Sequence, residues 1–255
     1  MASGIAKLIG VPSDLNPGVS SAKQATMLAL LGNPRSSFDA ACREVTNPVL
    51  KGLIDIQSVG PFRVQGLRPA VAVMKTILAE IRTNVPDVHA GIGTAGMLCA
   101  RLVRGSEHAI SNHSWGTAID LTLDGILDTR GDNLVQEGLT RIAPIFNAHG
   151  WFWGAGFRTE DAMHFEAGDE LIRQWHTEGQ FGGLPRPAPE RLLTLGDRGP
   201  EVLRLQRLLN SLGAEVVEDS VFGTGTRAAV TAFQGAHGLR PDGVVGAQTL
   251  AAFGV

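Results

Sequence analysis

Ser111-Asn112-His113-Ser114-Trp115-Gly116-Thr117-Ala118-Ile119-Asp120-Leu121-Thr122-Leu123 is the run whose reading decides the fold of the larger part of this chain. From Thr117 onward polar or small residues alternate with aliphatic ones. Successive side chains of a strand point to opposite faces, so Ala118, Asp120 and Thr122 share one face while Ile119, Leu121 and Leu123 face a core. His113 stands seven residues before Asp120, an odd step that on one straight strand would place the two side chains on opposite faces. A turn between them is therefore expected, and Trp115-Gly116 is the place, because glycine tolerates backbone angles closed to other residues. Downstream, Asp161-Ala162-Met163-His164-Phe165-Glu166 reads as a second strand. Met163 and Phe165 form its apolar face, His164 and Glu166 the other, and Asp161 lies just outside it.

Working outward, Arg68 to Arg82 places Val71, Met74, Ile77, Leu78 and Ile81 on one helical face. Leu134 to His149 does the same with Leu134, Ile142, Ile145 and Phe146, and both helices are expected to cover a sheet. Ser20, Ser21 and Lys23 to Leu31 predict a short capped helix ending at Gly32-Asn33-Pro34. Gly182-Gly183-Leu184-Pro185-Arg186-Pro187-Ala188-Pro189 reads as a semi-rigid linker, since alternating prolines favour an extended path. Beyond it Pro200 suits a first helical turn, with Val202, Leu205, Leu208, Leu209 and Leu212 at helical spacing and Gly213 as the stop. The tail also repeats itself: Asp219-Ser220-Val221-Phe222-Gly223-Thr224-Gly225-Thr226 echoes Asp242-Gly243-Val244-Val245-Gly246-Ala247-Gln248-Thr249. Each copy is a turn followed by a helix start, a duplicated unit that packing alone would also explain.

With 255 residues, 44% hydrophobic and 18% charged, the chain can bury a real core and is not of disordered composition. A formal net charge of -3 gives no reason to expect nucleic acid, whose phosphates need a concentrated basic surface. Cys42 and Cys99 show no CxxC spacing, so two buried free thiols are expected rather than a disulfide framework or a cysteine metal site. The Leu8-Ile9-Gly10-Val11 run is too short for a signal-peptide core, and no run approaches the length of a membrane span.

The two quoted stretches together hold two histidines and a carboxylate as possible ligands, with a further acid nearby. That is the inventory of a catalytic zinc site: three protein ligands, one position left for water, and an acidic residue to take the water's proton. Spacing alone leaves a chance cluster equally open. His89, His108, His149, His176 and His237 read as structural histidines, His149 as a helix cap before Gly150.

The flanking residues add a resemblance. Ser111-x-His113-x-x-Gly116-x-Ala118-x-Asp120, then Trp153-Gly154 and Asp161-x-x-His164-Phe165-Glu166, resemble the D-alanyl-D-alanine carboxypeptidase family of zinc peptidases over roughly Ala95 to Glu166. The resemblance implies one zinc ion held by His113, Asp120 and His164, with Asp161 as catalytic base where the commonest version has Glu. It also implies substrate contacts at Arg101, with Arg104 as the alternative. Ser111 matches a substrate-contacting position and equally suits a backbone cap. Trp151, Trp153 and Phe157 flank a glycine-rich run that could wall a cleft; Trp153 is taken as the substrate-side candidate, while a core role is expected for Trp151 and Phe152. From Leu193 to Phe253, Gly196, Gly199, Leu205-Gln206, Asp219, Phe222-Gly223, Phe233-Gln234, Asp242-Gly243 and Thr249 resemble the three-helix peptidoglycan-binding domain of wall hydrolases.

The expected architecture is α+β: a zinc peptidase domain with a small antiparallel sheet flanked by helices, plus a small all-α three-helix domain. The expected boundaries are 1–60, a segment of unassigned role packed on the catalytic domain; 61–181, catalytic; 182–191, linker; and 192–255, peptidoglycan-binding. The implied function is zinc-dependent hydrolysis of peptidoglycan stem peptides, of D-alanyl-D-alanine carboxypeptidase type. An endolysin-type L-alanyl-D-glutamate endopeptidase is the alternative, and a non-catalytic wall-binding protein is the alternative of another class. Peptidoglycan is the expected partner, with neither nucleic acid nor membrane, and a monomer is expected. The site of action is the cell wall or periplasm, reached by holin release, a dedicated secretion system or lysis.

Overall fold

The computed structural model describes residues 4–181 and 192–253, so the linker read over 182–191 lies outside the described residues. The described residues form two compact units, one on either side of that segment. The chain is α+β.

In chain order the first unit contains β1 (Leu8–Gly10), α1 (Gln24–Leu31), α2 (Pro48–Lys51), β2 (Ile54–Ser58), β3 (Arg63–Leu67), α3 (Arg68–Asn84), α4 (Pro86–Gly91), β4 (Ile92–Gly96), β5 (Ala118–Leu123), β6 (Ile126–Leu127), β7 (Leu134–Gln136), α5 (Glu137–Ala148), β8 (Trp151–Trp153), β9 (His164–Ala167) and α6 (Asp169–Thr177). The main sheet runs β4-β5-β9-β8, with β6 paired to β5. Every pairing in it is antiparallel. Two-stranded pairs β1-β7 and β2-β3 lie outside it.

The strand alternation works as read. Ile119, Leu121 and Leu123 of β5 and Phe165 of β9 are buried in one core with Val71, Met74, Ile77, Leu78 and Ile81 of α3 and Leu139, Ile142 and Phe146 of α5. Burying each such side chain contributes roughly 1.5–3 kcal/mol, so this layer is what holds the sheet flat against its helices.

Three local expectations are corrected. The helix read from Leu134 begins only at Glu137, because Leu134 to Gln136 pair with β1 instead. Asp128 Oδ2 accepts the Gln136 N–H at 2.7 Å, which satisfies that donor just ahead of the first turn of α5. The helix α1 starts after Lys23 and has no side-chain cap; of the two serines read with it, Ser21 instead donates its hydroxyl to Glu166 at 2.7 Å. Cys42 and Cys99 are not buried free thiols but are bonded to each other, with Cα atoms 5.1 Å apart. An antiparallel bridge between Arg43 and Ala100 brings the two segments together. Nothing local in either segment announces a partner 57 residues away.

Residues before 60 are built into this unit. β1 pairs with β7, Asn16 donates to the Trp153 carbonyl and accepts its N–H, and the Ala22 N–H donates to Glu166. Residue 60 itself lies in the turn of the β2-β3 hairpin.

The second unit contains α7 (Pro200–Ser211), α8 (Thr224–Ala236) and α9 (Ala247–Ala252) around Val202, Leu205, Leu209, Phe222, Val230, Phe233 and Val245. Its sequence echo is a structural one. The Gln206 amide donates to Asp219 Oδ1, the Val221 carbonyl and Thr226 Oγ1 at 2.8, 3.0 and 3.2 Å. The Gln234 amide repeats the set on Asp242, Val244 and Thr249 at 3.1, 2.9 and 3.1 Å. Each buried glutamine pins one Asp-rich turn, so its polar atoms are satisfied where apolar packing alone would leave the turn unfixed.

Candidate metal centre

His113 comes from a short 3-10 helix, Asn112–Trp115, whose end is fixed by the buried Trp115 ring donating to the Gly32 carbonyl at 2.8 Å. Gly116 then reverses the chain at φ 67°, a left-handed conformation. A Cβ there would lie 2.8 Å from Gly66 Cα, so close backbone approach requires glycine as well. The turn swings His113 back over β5. On that strand Asp120 is the direct cross-strand partner of His164 on β9.

Three ligand atoms converge. His113 Nε2 lies 3.1 Å from Asp120 Oδ1 and 3.1 Å from His164 Nδ1, and His164 Nδ1 lies 3.2 Å from Asp120 Oδ1. Donors held at about 2.0–2.2 Å around a tetrahedral zinc stand roughly 3.3 Å apart, so the spacing fits that ion. The outward nitrogens have acceptors of their own: His113 Nδ1 meets the Met97 carbonyl at 2.9 Å and His164 Nε2 meets Glu166 Oε2 at 2.9 Å. In the neutral rings each outward nitrogen carries the proton there, which leaves a lone pair on each inward one. Two lone pairs and a carboxylate oxygen facing one another in a buried site repel unless a cation or a proton stands among them.

The electrostatics say the same. Burial disfavours a charged His164, but its bonds to Asp120 and Glu166 prevail and push it up to about 10. Burial likewise opposes ionisation of Asp120, yet the two histidines hold it well below the usual carboxylate range. Glu166 is lowered too, its burial outweighed by His164, Asn112 and Ser21.

Asp161 precedes β9 in a turn closed by the His164 N–H on the Asp161 carbonyl at 3.0 Å. Its carboxylate faces the same cavity as the three ligands, and Arg130 Nε stands 3.2 Å from its Oδ2. Burial raises its pKa, with His164 and Arg130 opposing. Gly154 makes room for this turn, since a Cβ there would meet the Asp161 carbonyl at 2.5 Å. The cavity has a volume of about 390 Å³. Arg101, Arg104, Arg130 and Arg158 all line it, together with Ser111 and Phe157.

Of the residues predicted from sequence, His113, Asp120, His164, Asp161, Arg101 and Ser111 meet in this cavity. Ser111 makes no side-chain cap bond, so the capping reading falls away. Trp153 is corrected: it is 2% exposed, stacks on Phe165 and donates its ring N–H to the Ala162 carbonyl at 2.7 Å. It is a core residue, and Phe157 walls the cavity instead. Sequence reading missed Arg130 and Arg158, which lie in irregular loops with no periodic signal. It saw Glu166 without its task, although strand alternation had already placed it beside His164.

Residues 104–167 match the D-alanyl-D-alanine carboxypeptidase family. That match takes in the converging His113, Asp120 and His164 and also Asp161. Residues 198–253 match the peptidoglycan binding domain family, which spans both glutamine-pinned turns. Among solved structures, the chain is similar to a Burkholderia AP3 phage endolysin, at 46% identity over 25% of this chain and 24% of that one, with a TM-score of 0.24. It is also similar to the SleB N-terminal domain, at 35% identity over 25% of this chain and 89% of that one, with a TM-score of 0.25. The chain thus spans about a quarter of the endolysin's length. No described helix is long and apolar enough to cross a membrane.

Proposed function

We propose that this chain is a zinc-dependent peptidase that hydrolyses stem peptides of the bacterial cell wall, with residues 61–181 catalytic, 1–60 packed on them, and 192–255 holding the enzyme to peptidoglycan. The observation that carries this reading is the convergence of the buried His113 and His164 with the partly exposed Asp120 in a cavity that also holds Asp161. The two family matches support a wall substrate. The Cys42–Cys99 bond supports action outside the reducing cytoplasm.

His113 Nε2, Asp120 Oδ1 and His164 Nδ1 would hold one zinc ion. When bound, zinc lowers the pKa of a coordinated water to about 7 and polarises the scissile carbonyl. Asp161 is the proton acceptor for the attacking water and returns the proton to the leaving amine. Its raised pKa suits both halves of that task, because a stronger base accepts more readily and a nearby acid form remains accessible. Arg130 holds the carboxylate in place, and Glu166 and the Met97 carbonyl keep both imidazole rings turned inward. Arg101 and Arg104 offer guanidinium groups to substrate carboxylates, for which planar bidentate geometry is suited.

Cleavage of a terminal D-alanyl-D-alanine bond is the leading assignment. One observation favours the second reading, an L-alanyl-D-glutamate endopeptidase: besides Arg130, which meets Asp161, three arginines line the cavity, more cation than one terminal carboxylate needs, whereas a stem peptide bound along its length offers several. Mass spectrometry of muropeptide digests separates the two, since release of alanine marks the first and loss of the peptide from its alanine marks the second. Asp161→Ala is expected to lower hydrolysis at least ~100-fold with zinc content unchanged by elemental analysis. Full activity in that variant overturns the assignment of Asp161, and unchanged muropeptides with the zinc-loaded native chain leave only a wall-binding protein.

A further inference from the structure

Away from the zinc ligands a second set of carboxylates converges. The segment joining β6 to β7 brings Asp128 and Asp132 beside Glu160, and one oxygen of each lies within 4.8 Å of the others. Asp128 is 3% exposed. Its Oδ2 accepts from the Gln136 N–H, but its buried Oδ1 has no partner. Gln136 Oε1, on the residue that donates to Asp128, is buried and unpartnered as well. Glu160 is 4% exposed, and its two oxygens accept from the Ala162 and Gly131 N–H groups at 2.7 and 3.0 Å. Among the described residues none of the three carboxylates has a Lys or Arg partner. Burying two such groups beside a third, exposed carboxylate, with one buried oxygen lacking any donor, is costly unless a cation completes the set.

We propose that Asp128, Asp132 and Glu160 form a second metal site, separate from the His113, Asp120 and His164 centre and of the calcium-binding class. The donors are all hard oxygens, with no imidazole or thiolate among them, which suits calcium or magnesium and not zinc. Three oxygens within 4.8 Å of one another are close enough to share one ion, and carboxylates from a loop and a turn suit the flexible coordination of calcium better than the near-ideal octahedron magnesium demands. The same segment carries Arg130, which meets Asp161 at 3.2 Å. Gly131 donates its N–H to both the carbonyl and the side chain of Glu160. A cation at this point fastens residues 128–132 to 160–161, and so fixes the arginine that holds the Asp161 carboxylate. This coupling to activity rests on the reading of Asp161 as base; the binding of calcium does not.

The test is calorimetric titration of calcium chloride into the full chain, stripped of metal and then either reloaded with zinc or left without it, with magnesium chloride and potassium chloride as controls. A one-site calcium isotherm and a raised unfolding midpoint are expected in both preparations. Asp132 is exposed, so Asp132→Asn leaves the fold intact; it should weaken calcium binding at least tenfold, and Asp128→Asn with Asp132→Asn should abolish it. No isotherm at millimolar calcium, or equal binding by native chain and Asp132→Asn, overturns the site. So does stabilisation by acid without any calcium response, the signature of carboxylates that merely share a proton. With zinc present, calcium should raise the rate of muropeptide hydrolysis in the native chain and not in the double variant; binding without that response overturns the coupling alone. Absence of hydrolysis under all conditions beside an intact isotherm rejects the proposed peptidase and not the calcium site.

Discussion

Glu166 has both oxygens committed: one to the His164 ring and the Asn112 amide at 2.9 and 2.8 Å, the other to Ser21 and the Ala22 N–H at 2.7 and 3.1 Å. A carboxylate held this way fixes the tautomer and angle of His164 without touching the ion itself. Glu166→Gln should therefore weaken zinc binding roughly 10–100-fold while leaving the fold in place. Competition with a chromophoric chelator measures this, and unchanged affinity would show that His164 is oriented by backbone pairing alone. The same residue bears on pH. His164 in the metal-free protein is raised to about 10, so at neutral pH it carries a proton that zinc must displace. Raised basicity means the proton competes more strongly as pH falls, so zinc affinity should drop about tenfold per pH unit below neutrality. Titration in buffers of differing ionisation heat should show about one proton released per zinc bound at pH 7.

Among elements, β5 and the turn before it carry the most information per residue. The alternation of Ala118 to Leu123, the odd step from His113 and the glycine at 116 together predict a reversal and a shared polar face, which is what the φ of 67° at Gly116 produces. Gly116→Ala forces a Cβ to within 2.8 Å of Gly66 Cα in a left-handed conformation. A destabilisation of about 2–4 kcal/mol is expected, read as a lower unfolding midpoint together with loss of zinc, because His113 rides on that turn. A variant as stable as the native chain would mean the β3 backbone yields. Where elements were misread, long-range competition was the cause. The residues at 134–136 fit a helical period, but β1 offers them a strand partner and Asp128 captures the Gln136 N–H. Trp153 sits in a glycine-rich run that suits a cleft, yet its ring N–H finds the Ala162 carbonyl and its face finds Phe165.

For the whole molecule, the consequence of the proposed function is a division of labour between two units, each with its own core. A wall-binding unit raises the local concentration of polymer substrate without altering the chemistry. Removing residues 192–255 should leave hydrolysis of a small soluble stem peptide within about twofold of the full chain, while lysis of intact walls falls by 10-fold or more. Equal loss on both substrates would show that the second unit supports the first structurally. Periodicity by itself determined the α+β character and the second helical unit with its duplicated turn, because each is written in spacing a few residues long, while His113, Asp120 and His164 were picked out as candidate ligands by resemblance and not by spacing. Only the tertiary structure decided that Cys42 meets Cys99, that Arg130 reaches Asp161, that Trp153 is core, and that Asp128 and Asp132 find Glu160. Those pairings join segments whose separation along the chain carries no local signal, and they form only when packing of the sheet against α3 and α5 brings their backbones together.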